Sequence, residues 1–476
     1  MRETSKSTTY NNHHPLSFQS KLTLRHVATS TCKFISFDAP TVMIFVWLGL
    51  LLVGIWVVFG VFSSRRKVLP PGPPMSLFEK LCTLWRITKV GKFPHTLEVW
   101  HQEYGKILYF GVNCGPIFKS LMYSVSDPLV AQDVLRKTSI FPARLKGGLT
   151  YFLPKSLLGI HDNNQMWKKH RTILSKAFTD KYLKQYSEEI LAISKELIIE
   201  LEAPGNQVIQ NINTKLSKLT YRIVACTVLG KDFYSAYPTV GSKSQLDAIL
   251  KSVIMMSLLP PFLRGLASWA SNSIGIANKH IFSQKEQILN DIINIRQHSI
   301  QGNSMLHFLV HHSAELSNDE IIDELLAFIM AGHETTANAL SFALVCLSCN
   351  ADMQRKARQE IESVSQGEPL TFSMLEKLFY VRAIFKETLR LFPVVPLVSR
   401  VPTQTTTIGP YTVDPQDKII VNVYQMCRDA DIFPDPLEFL PERWLPGGAN
   451  SAEGLKSYDS TRNFGGGLRV RQTTCL

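Results

Sequence analysis

One long apolar segment constrains the fold of this chain more than any other feature. It opens with Ser317-Asn318-Asp319-Glu320, whose Ser-x-x-Glu spacing is a capping box, the pattern that satisfies free N–H groups at the start of a helix. A predominantly apolar run then continues through Cys349. The segment therefore predicts a long helix that is buried in a large helical core.

The middle of this predicted helix carries polar groups suited to proton transfer. It reads Ala331-Gly332-His333-Glu334-Thr335. Glu334 is an acid that can link to water, and Thr335 offers a hydroxyl, which are residue types that proton transfer uses. His333 lacks the second His, four residues later, that a zinc motif of this type requires, and this favours a packed side chain. A plain buried core helix is the alternative for the whole stretch.

Three later patterns are ordinary when taken one at a time. Glu387 and Arg390 lie three residues apart and share a helix face, as many surface ion pairs do. Arg443 lies in a Pro-Glu-Arg-Trp segment. Residues 464–470 read Phe-Gly-Gly-Gly-Leu-Arg-Val, which alone is typical of a Gly-rich surface loop. Only their combined order along the chain argues for a shared function.

In this order the motifs resemble those of the cytochrome P450 family, the haem-thiolate monooxygenases, and specifically its microsomal type. The resemblance covers about Pro70 to Val470. It implies a mainly α fold with a small β region, and the alternating pattern of Thr405 to Val423 favours paired strands. Helical patterns over Lys181 to Glu202 and Met353 to Val364 agree with that fold.

The resemblance assigns roles to most of these residues. It makes Glu334 and Thr335 the catalytic groups, beside a point where the central helix loosens over the cofactor. It makes Glu387, Arg390 and Arg443 one buried structural cluster. In such a cluster, planar guanidinium groups meet a carboxylate and the desolvated charges must stay paired.

The same resemblance implies haem, an iron protoporphyrin, as the cofactor. Its two propionates require cationic and N–H donors that arrive from several parts of the chain. Trp167 and Arg171 match a Trp-x-x-x-Arg helix and lie one turn apart. Arg400 and Arg469 match the remaining propionate positions, and Phe464 opens the haem-binding loop. Each of these residues, taken singly, is also explained as a surface Arg or a core aromatic.

The chain departs from the family at the position of the iron ligand. Arg471 stands where the family has its Cys thiolate, so no metal ligand is predicted, because a protonated Arg offers no lone pair. The family continues from here into a helix and strands, which we expect to be missing from a chain truncated before its Cys ligand. A shifted reading frame or an unspliced intron explains the change, and so does a diverged haemless relative.

Three segments precede the predicted domain. Residues 1–40 are polar, Ser/Thr-rich and poor in acids, which predicts a disordered tail, with a transit peptide or an upstream start codon as alternatives. Residues 41–62 are uncharged and apolar, and predict one transmembrane helix; a cleaved signal peptide is the alternative. Residues 63–74 read as a basic stop and proline-rich hinge. The incomplete domain at 75–476 would then face the cytosol from the endoplasmic reticulum membrane.

The formal net charge of +12 predicts attraction to acidic surfaces, either a lipid bilayer or an acidic electron donor. The resemblance implies a flavoprotein reductase that brings electrons from NADPH and docks near Lys168, Lys169 and Arg171. No basic run with interleaved aromatic residues indicates nucleic acid binding. Eight scattered cysteines predict free thiols rather than disulfides or zinc sites.

Two functions from different classes follow. The first is a monooxygenase that inserts one oxygen atom from dioxygen into an apolar small molecule, since the segment from Val253 to Leu266 is rich in Met, Leu, Phe and Pro. The second is a haemless, catalytically inactive, truncated and membrane-anchored remnant. The state of the residue at position 471 separates the two.

Overall fold

The computed structural model describes residues 68–73, 92–113, 119–144, 148–161, 165–202, 211–231, 252, 272–312, 314–415 and 417–445. All of them belong to the larger of the chain's two compact units. The predicted tail (1–40), the anchor (41–62) and half of the hinge (63–67 and 74) lie outside these residues. So do the segment 253–266 and the whole haem-loop motif, with Phe464, Arg469 and Arg471.

Helices make up most of the described chain, as the mainly α prediction requires. Two short 3-10 helices, Phe372–Lys377 and Pro441–Trp444, accompany the α-helices. The α-helices are α1 Lys92–Tyr104, α2 Pro128–Arg136, α3 Gly148–Phe152, α4 Gln165–Lys176, α5 Asp180–Glu202, α6 Ile212–Val228, α7 Asn272–His298, α8 Met305–His312, α9 Asn318–Ser348, α10 Ala351–Ser365, α11 Phe379–Leu391 and α12 Val423–Met426.

The capping box sets the start of the long helix α9. The Ser317 hydroxyl accepts a hydrogen bond from the backbone N–H of Glu320, and the Glu320 carboxylate accepts one from the backbone N–H of Ser317. Both orphan donors of the first turn are thereby satisfied, and acidic side chains in that turn complement the helix dipole. The predicted capping box is confirmed, and the helix runs unbroken for 31 residues.

Helix α9 is continuous at Gly332, where the sequence predicted a loosened helix. A Cβ at this position would lie 3.0 Å from Cγ2 of Val224, a residue of α6. The missing side chain therefore allows α6 and α9 to approach closely, and this packing supports a continuous helix at Gly332. The Thr335 hydroxyl donates a hydrogen bond to the carbonyl of Ala331 one turn earlier. The local weakness of glycine is outweighed here by tertiary packing.

Two small sheets form the β region. Strands β1 and β2 pair antiparallel, β2 pairs parallel with β6, and β6 pairs antiparallel with β3, while β4 and β5 form a separate hairpin. Gly409, with φ of +55°, turns the chain between β4 and β5. The strands are β1 Ile107–Asn113, β2 Lys119–Val125, β3 Leu397–Arg400, β4 Thr406–Ile408, β5 Tyr411–Val413 and β6 Lys418–Asn422.

The hydrophobic core has a helical part and a sheet part. Leu174, Leu309 and Leu325 are fully buried in the helical part, where α9 packs most extensively against α6. Tyr123 and Val421 are fully buried in the sheet part, against α2 and α12. A mostly helical fold with small sheets is therefore confirmed.

The described cysteines are free thiols, as predicted, namely Cys226, Cys346, Cys349 and Cys427. Burial raises the pKa of the Cys226 thiol to about 11, which makes this side chain a packing group rather than a nucleophile. Among the described residues, no helix combines the length and apolar character that crossing a membrane requires.

Candidate active site

Trp167 and Arg171 lie on one face of helix α4. The Trp167 side chain is buried, and the guanidinium carbon of Arg171 lies 5.4 Å from the centroid of its ring. This distance is within the range of a cation–π contact, which orients the guanidinium along the helix. The two residues, which are four positions apart in the sequence, are thus in contact in the structure.

Arg400 is the last residue of β3, and its side chain is buried. The next residue, Val401, forms an antiparallel bridge with Ala143, and its N–H donates to the Ala143 carbonyl at 2.9 Å. In antiparallel pairing, the residue before one partner lies opposite the residue after the other. Arg144 therefore lies opposite Arg400, although 256 positions separate them in the chain.

Arg144, Arg171 and Arg400 form what we call the arginine cluster. Burial and the charge of Arg144 lower the pKa of Arg400 to about 9. Burial and the charge of Arg171 lower the pKa of Arg144 to about 10. All three remain protonated at neutral pH, so the fold holds like charges together where the dielectric constant is low. Such an arrangement is costly and favours a bound anion.

Arg144 was missed by sequence reasoning. It follows Phe141-Pro142-Ala143, and no helical or strand period links it to a site. Its proximity to Arg400 arises from a single bridge between distant segments, which only the folded chain creates. The only available signal was that no acidic residue lies near Arg144 in the sequence, and many surface arginines have the same property.

Glu334 and Thr335 are half-buried on α9, next to a firmly anchored histidine. The Nε2 atom of His333 lies 2.9 Å from the Ser217 hydroxyl, and the ring packs edge-on against Tyr221. These contacts fix His333 on the side of α6, as expected for a packed His. Because successive helical residues rotate by about 100°, Glu334 and Thr335 turn away from the α6 contact.

The structure brings Glu387, Arg390 and Arg443 together, and all three side chains are fully shielded from solvent. Arg390 donates to both carboxylate oxygens of Glu387, at 2.9 Å from Nε and 2.7 Å from Nη2. Arg443 donates from Nε at 3.3 Å, and Trp444 from Nε1 at 2.9 Å. The backbone N–H of Leu440 is a further donor at 2.9 Å. One carboxylate therefore accepts five hydrogen bonds.

Arg390 extends this cluster into the backbone. It donates to the carbonyl oxygens of Cys427, Pro436 and Glu438 at 2.8, 2.6 and 2.9 Å. Its guanidinium also lies 5.0 Å from the ring centroid of Phe433. The side chain therefore ties α11 to the irregular segment 427–444, and the contacts are those of a structural tie rather than of a ligand site.

The donors of the arginine cluster fit the two carboxylates of haem. Guanidinium groups and an indole N–H are donors only, and the planar guanidinium matches a carboxylate in two-point contact. A dianion beside these residues would reverse the repulsion that lowers the pKa values of Arg144 and Arg400. The residues present thus suit the propionate end of the cofactor.

The described helices and small sheets thus bring together three arginines from α4, from β3 and from the segment before α3. The family model for cytochrome P450 matches residues 70–470. The chain therefore belongs to the cytochrome P450 family, which uses haem iron and receives electrons from redox partners.

Individual relatives are distant but cover most of the chain. Carotene epsilon-monooxygenase, chloroplastic, of Arabidopsis thaliana is 26% identical over 378 residues, which is 74% of this chain and 68% of that protein. Cytochrome P450 97B1, chloroplastic, of Pisum sativum is 26% identical over 421 residues, with 78% and 72% covered. The solved structure of retinoic acid bound cyanobacterial CYP120A1 shares the fold, with a TM-score of 0.71 at 20% identity and 86% and 88% covered.

These relatives correct the predicted localisation. The single-pass position in the endoplasmic reticulum membrane was inferred from the apolar segment 41–62 and its basic flank, which lie outside the described residues. It is contradicted by the relatives, two of which are chloroplastic proteins. The prediction for this compartment is therefore wrong.

Proposed function

We propose that this protein is a haem-dependent monooxygenase that inserts one oxygen atom from dioxygen into an apolar small molecule. The observation that carries the proposal is the arginine cluster, where the charge of Arg171 acts on Arg144 and the charge of Arg144 acts on the buried Arg400. An anion with two carboxylates would neutralise this repulsion. The reaction class follows from the family.

Each residue around the cofactor would have a separate task. Arg144, Arg171 and Arg400 would bind the propionates, and the Trp167 indole would add an N–H donor. Arg469 would act with them, and Phe464 would pack in the haem loop. When bound, haem supplies the redox chemistry that activates dioxygen.

Proton delivery would belong to α9. The Thr335 hydroxyl donates its proton to the Ala331 carbonyl, which leaves its oxygen lone pairs to accept from a water. Glu334 directly precedes Thr335 on the same turn, and its half-buried carboxylate can exchange protons with solvent. Together the two side chains would hold and pass protons beside the cofactor.

A flavoprotein reductase that carries electrons from NADPH is the proposed donor. Lys169 is held by the Glu320 carboxylate at 2.9 Å and by the Glu315 carbonyl at 3.2 Å. Lys168, on the same helix, is exposed. Lys168 therefore suits docking of an acidic partner better than Lys169, and steering by this face would weaken as salt rises.

One residue favours a second candidate, a haemless and inactive protein. Arg471 occupies the position of the family's Cys ligand. A protonated guanidinium offers no lone pair to iron and adds a positive charge beside it. The first proposal therefore depends on whether the propionate contacts suffice to retain haem in this chain.

Titration of the purified chain with two porphyrins tests the proposal. Haem and haem dimethyl ester have the same iron and ring, but the ester lacks free propionates. We expect haem to bind about tenfold more tightly or better, since a hydrogen bond to a charged group contributes about 1.5–3 kcal/mol. Absorbance in the Soret region and quenching of tryptophan fluorescence measure both affinities.

Arg171→Met and Arg400→Met should remove this preference for the free acid, because Met keeps the aliphatic bulk but not the charge. Arg355→Met, on the exposed surface of α10, is the matched control and should leave it intact. Equal binding of acid and ester would contradict the assignment of the arginine cluster. Absence of saturable binding for both porphyrins would favour the haemless candidate.

A further inference from the structure

A buried charged bridge joins α4 to the first turns of α9. His170 is inaccessible to solvent and lies between Trp167 and Arg171 in the sequence. Its Nδ1 lies 2.7 Å from Oε1 of Glu324, and its Nε2 lies 3.0 Å from Oε1 of Glu320. One imidazole thus spans two carboxylates that are one turn apart on the neighbouring helix.

This geometry requires a proton. A neutral imidazole has one N–H donor, whereas two ionised carboxylates that face its two nitrogens need two donors, so with both glutamates ionised the ring is an imidazolium. Burial raises the pKa of Glu324, and the hydrogen bond and the charge of His170 oppose that shift. Both bonds are then charge-assisted. Burial alone would lower the pKa of His170, but the hydrogen bonds to Glu324 and Glu320 outweigh it and the pKa is raised.

The two carboxylates have further donors that hold them in place. Glu320 accepts from Lys169 at 2.9 Å and from the backbone N–H of Ser317 at 2.7 Å. Burial raises the pKa of Glu320, but these bonds and that of His170 outweigh burial and lower it to about 2. Glu324 accepts from the backbone N–H of Leu157 at 2.6 Å. Both carboxylates are therefore held in place by donors other than His170.

The other charged groups around this bridge are paired among themselves. Asp323 lies between the two glutamates in the sequence and pairs with Lys285 of α7 at 2.7 Å. It also accepts from the backbone N–H of Lys155 at 3.0 Å, and the Lys155 side chain pairs with Asp319 at 2.7 Å. With Lys169 bound to Glu320, these charged groups of α4, α7, α9 and the segment after α3 lie in named pairs in the described part of the chain.

We propose that His170 is a positioning residue, which as an imidazolium locks α4 onto α9 and thereby holds Arg171 in the arginine cluster and Trp167 beside it. Its contacts fix both the rotation and the axial position of α4, because the two carboxylates approach the ring from opposite sides. The consequence for haem rests on the proposed function. The locking of α4 does not.

Amide hydrogen exchange of the haem-free chain tests the locking. We expect His170→Gln to raise exchange of α4 amides by about tenfold at about pH 6, after correction for the chemical rate. A histidine with a raised pKa stabilises the fold fully below its unfolded value and loses that contribution as pH rises through the folded one. The difference between the two proteins should therefore shrink toward about pH 9.

His95→Gln is the matched control. His95 also faces a glutamate, with Nδ1 2.9 Å from Glu98, but its side chain is exposed. This substitution should leave α4 exchange unchanged at every pH. Equal α4 protection in His170→Gln and wild type at low pH would overturn the proposal. So would a pH-independent difference between them.

A second pair of measurements avoids dependence on one variant. Glu324→Gln keeps an oxygen acceptor for His170 and for Leu157 but removes the negative charge. If the bridge is charge-assisted, the double variant should raise α4 amide exchange, as a change in free energy, by less than the sum of the two single variants. In wild type, ¹⁵N resonances of His170 should report both ring nitrogens as protonated at neutral pH. Additive effects, or one protonated nitrogen, would overturn the proposal even if a variant fails to fold.

The porphyrin titration separates the two proposals. If His170→Gln loosens α4 and also weakens haem binding about threefold or more, while the ester is unaffected, both proposals are supported. If α4 loosens but no variant distinguishes haem from its ester, the locking holds and the propionate assignment fails. If α4 is unchanged while Arg400→Met still weakens haem binding, the locking fails alone.

Discussion

Two groups of buried arginines in this protein differ in what lies beside them. Arg390 and Arg443 meet the Glu387 carboxylate, which also accepts from Trp444 and from the backbone of Leu440. In the arginine cluster, the charges that most affect Arg144 and Arg400 are those of other arginines. The first group has a carboxylate of the protein as its counter-charge, whereas in the second like charges lie close together.

The difference follows from how each group is assembled. Glu387 and Arg390 are one helical turn apart on α11, so their pairing is formed with the helix itself. The members of the arginine cluster come from α4, from the end of β3 and from the segment before α3, and only the complete fold brings them together. A local pair of opposite charges serves folding, and the distributed set of like charges is the one for which we propose an anionic ligand.

Removal of the shared carboxylate gives the largest expected effect. Glu387→Ala leaves two buried guanidinium groups without their counter-charge, which costs roughly 3–5 kcal/mol, a large part of the stability of a typical domain. We expect little soluble protein, and rapid digestion of what remains under limited proteolysis. The measurement is urea unfolding where the variant folds, and soluble yield where it does not.

Glu442→Gln is the control for that substitution. Glu442 pairs with Lys356 at 2.7 Å near the surface, and such partly exposed pairs contribute less than about 1 kcal/mol. A soluble, protease-resistant Glu387→Ala protein with the same urea midpoint as Glu442→Gln would contradict the comparison. That result would mean that Arg390 and Arg443 do not depend on the Glu387 carboxylate as a counter-charge.

Features that depend on short spacings could be predicted from the sequence. The Ser317 capping box and the shared face of Glu387 and Arg390 are one turn long, and hydrogen-bond geometry at that range follows directly from the helix. The mainly helical fold follows in the same way from periodic apolar patterns. Trp167 and Arg171 were identified by their spacing, and the structure places them in contact.

Features created by tertiary packing could not be predicted. Gly332 favours a break when only its helix propensity is considered, but Val224 of α6 fills the space that a side chain would occupy. The locations of Arg144 and of the bridge through His170 depend on contacts with segments more than 150 positions away. No period or motif in one sequence carries that information.

Removal of a charge from the arginine cluster should stabilise the ligand-free protein, whereas Glu387→Ala destabilises it. Arg400→Met relieves repulsion by Arg144 and keeps the apolar stem, so we expect the ligand-free chain to gain on the order of 1 kcal/mol. In the presence of haem the same variant should be less stabilised than wild type, because it binds the ligand less well. Thermal unfolding with and without haem measures both effects. A variant that is less stable than wild type in both conditions would place Arg400 among the structural arginines.

The smallest expected effect is the pH dependence of the stability that Arg400→Met gains over wild type in the ligand-free protein. Burial and the charge of Arg144 lower the pKa of Arg400 to about 9 in the folded chain, well below its value in the unfolded chain. Between these values the unfolded state binds more protons than the folded state, so wild-type stability rises with pH through this residue. Arg400→Met lacks the titration, and its advantage should therefore narrow as pH is raised from about 7 to about 10. Parallel unfolding curves for wild type, Arg400→Met and the surface control Arg355→Met test this. An advantage that stays constant over the range would show that the gain comes from packing, and not from like charges held together.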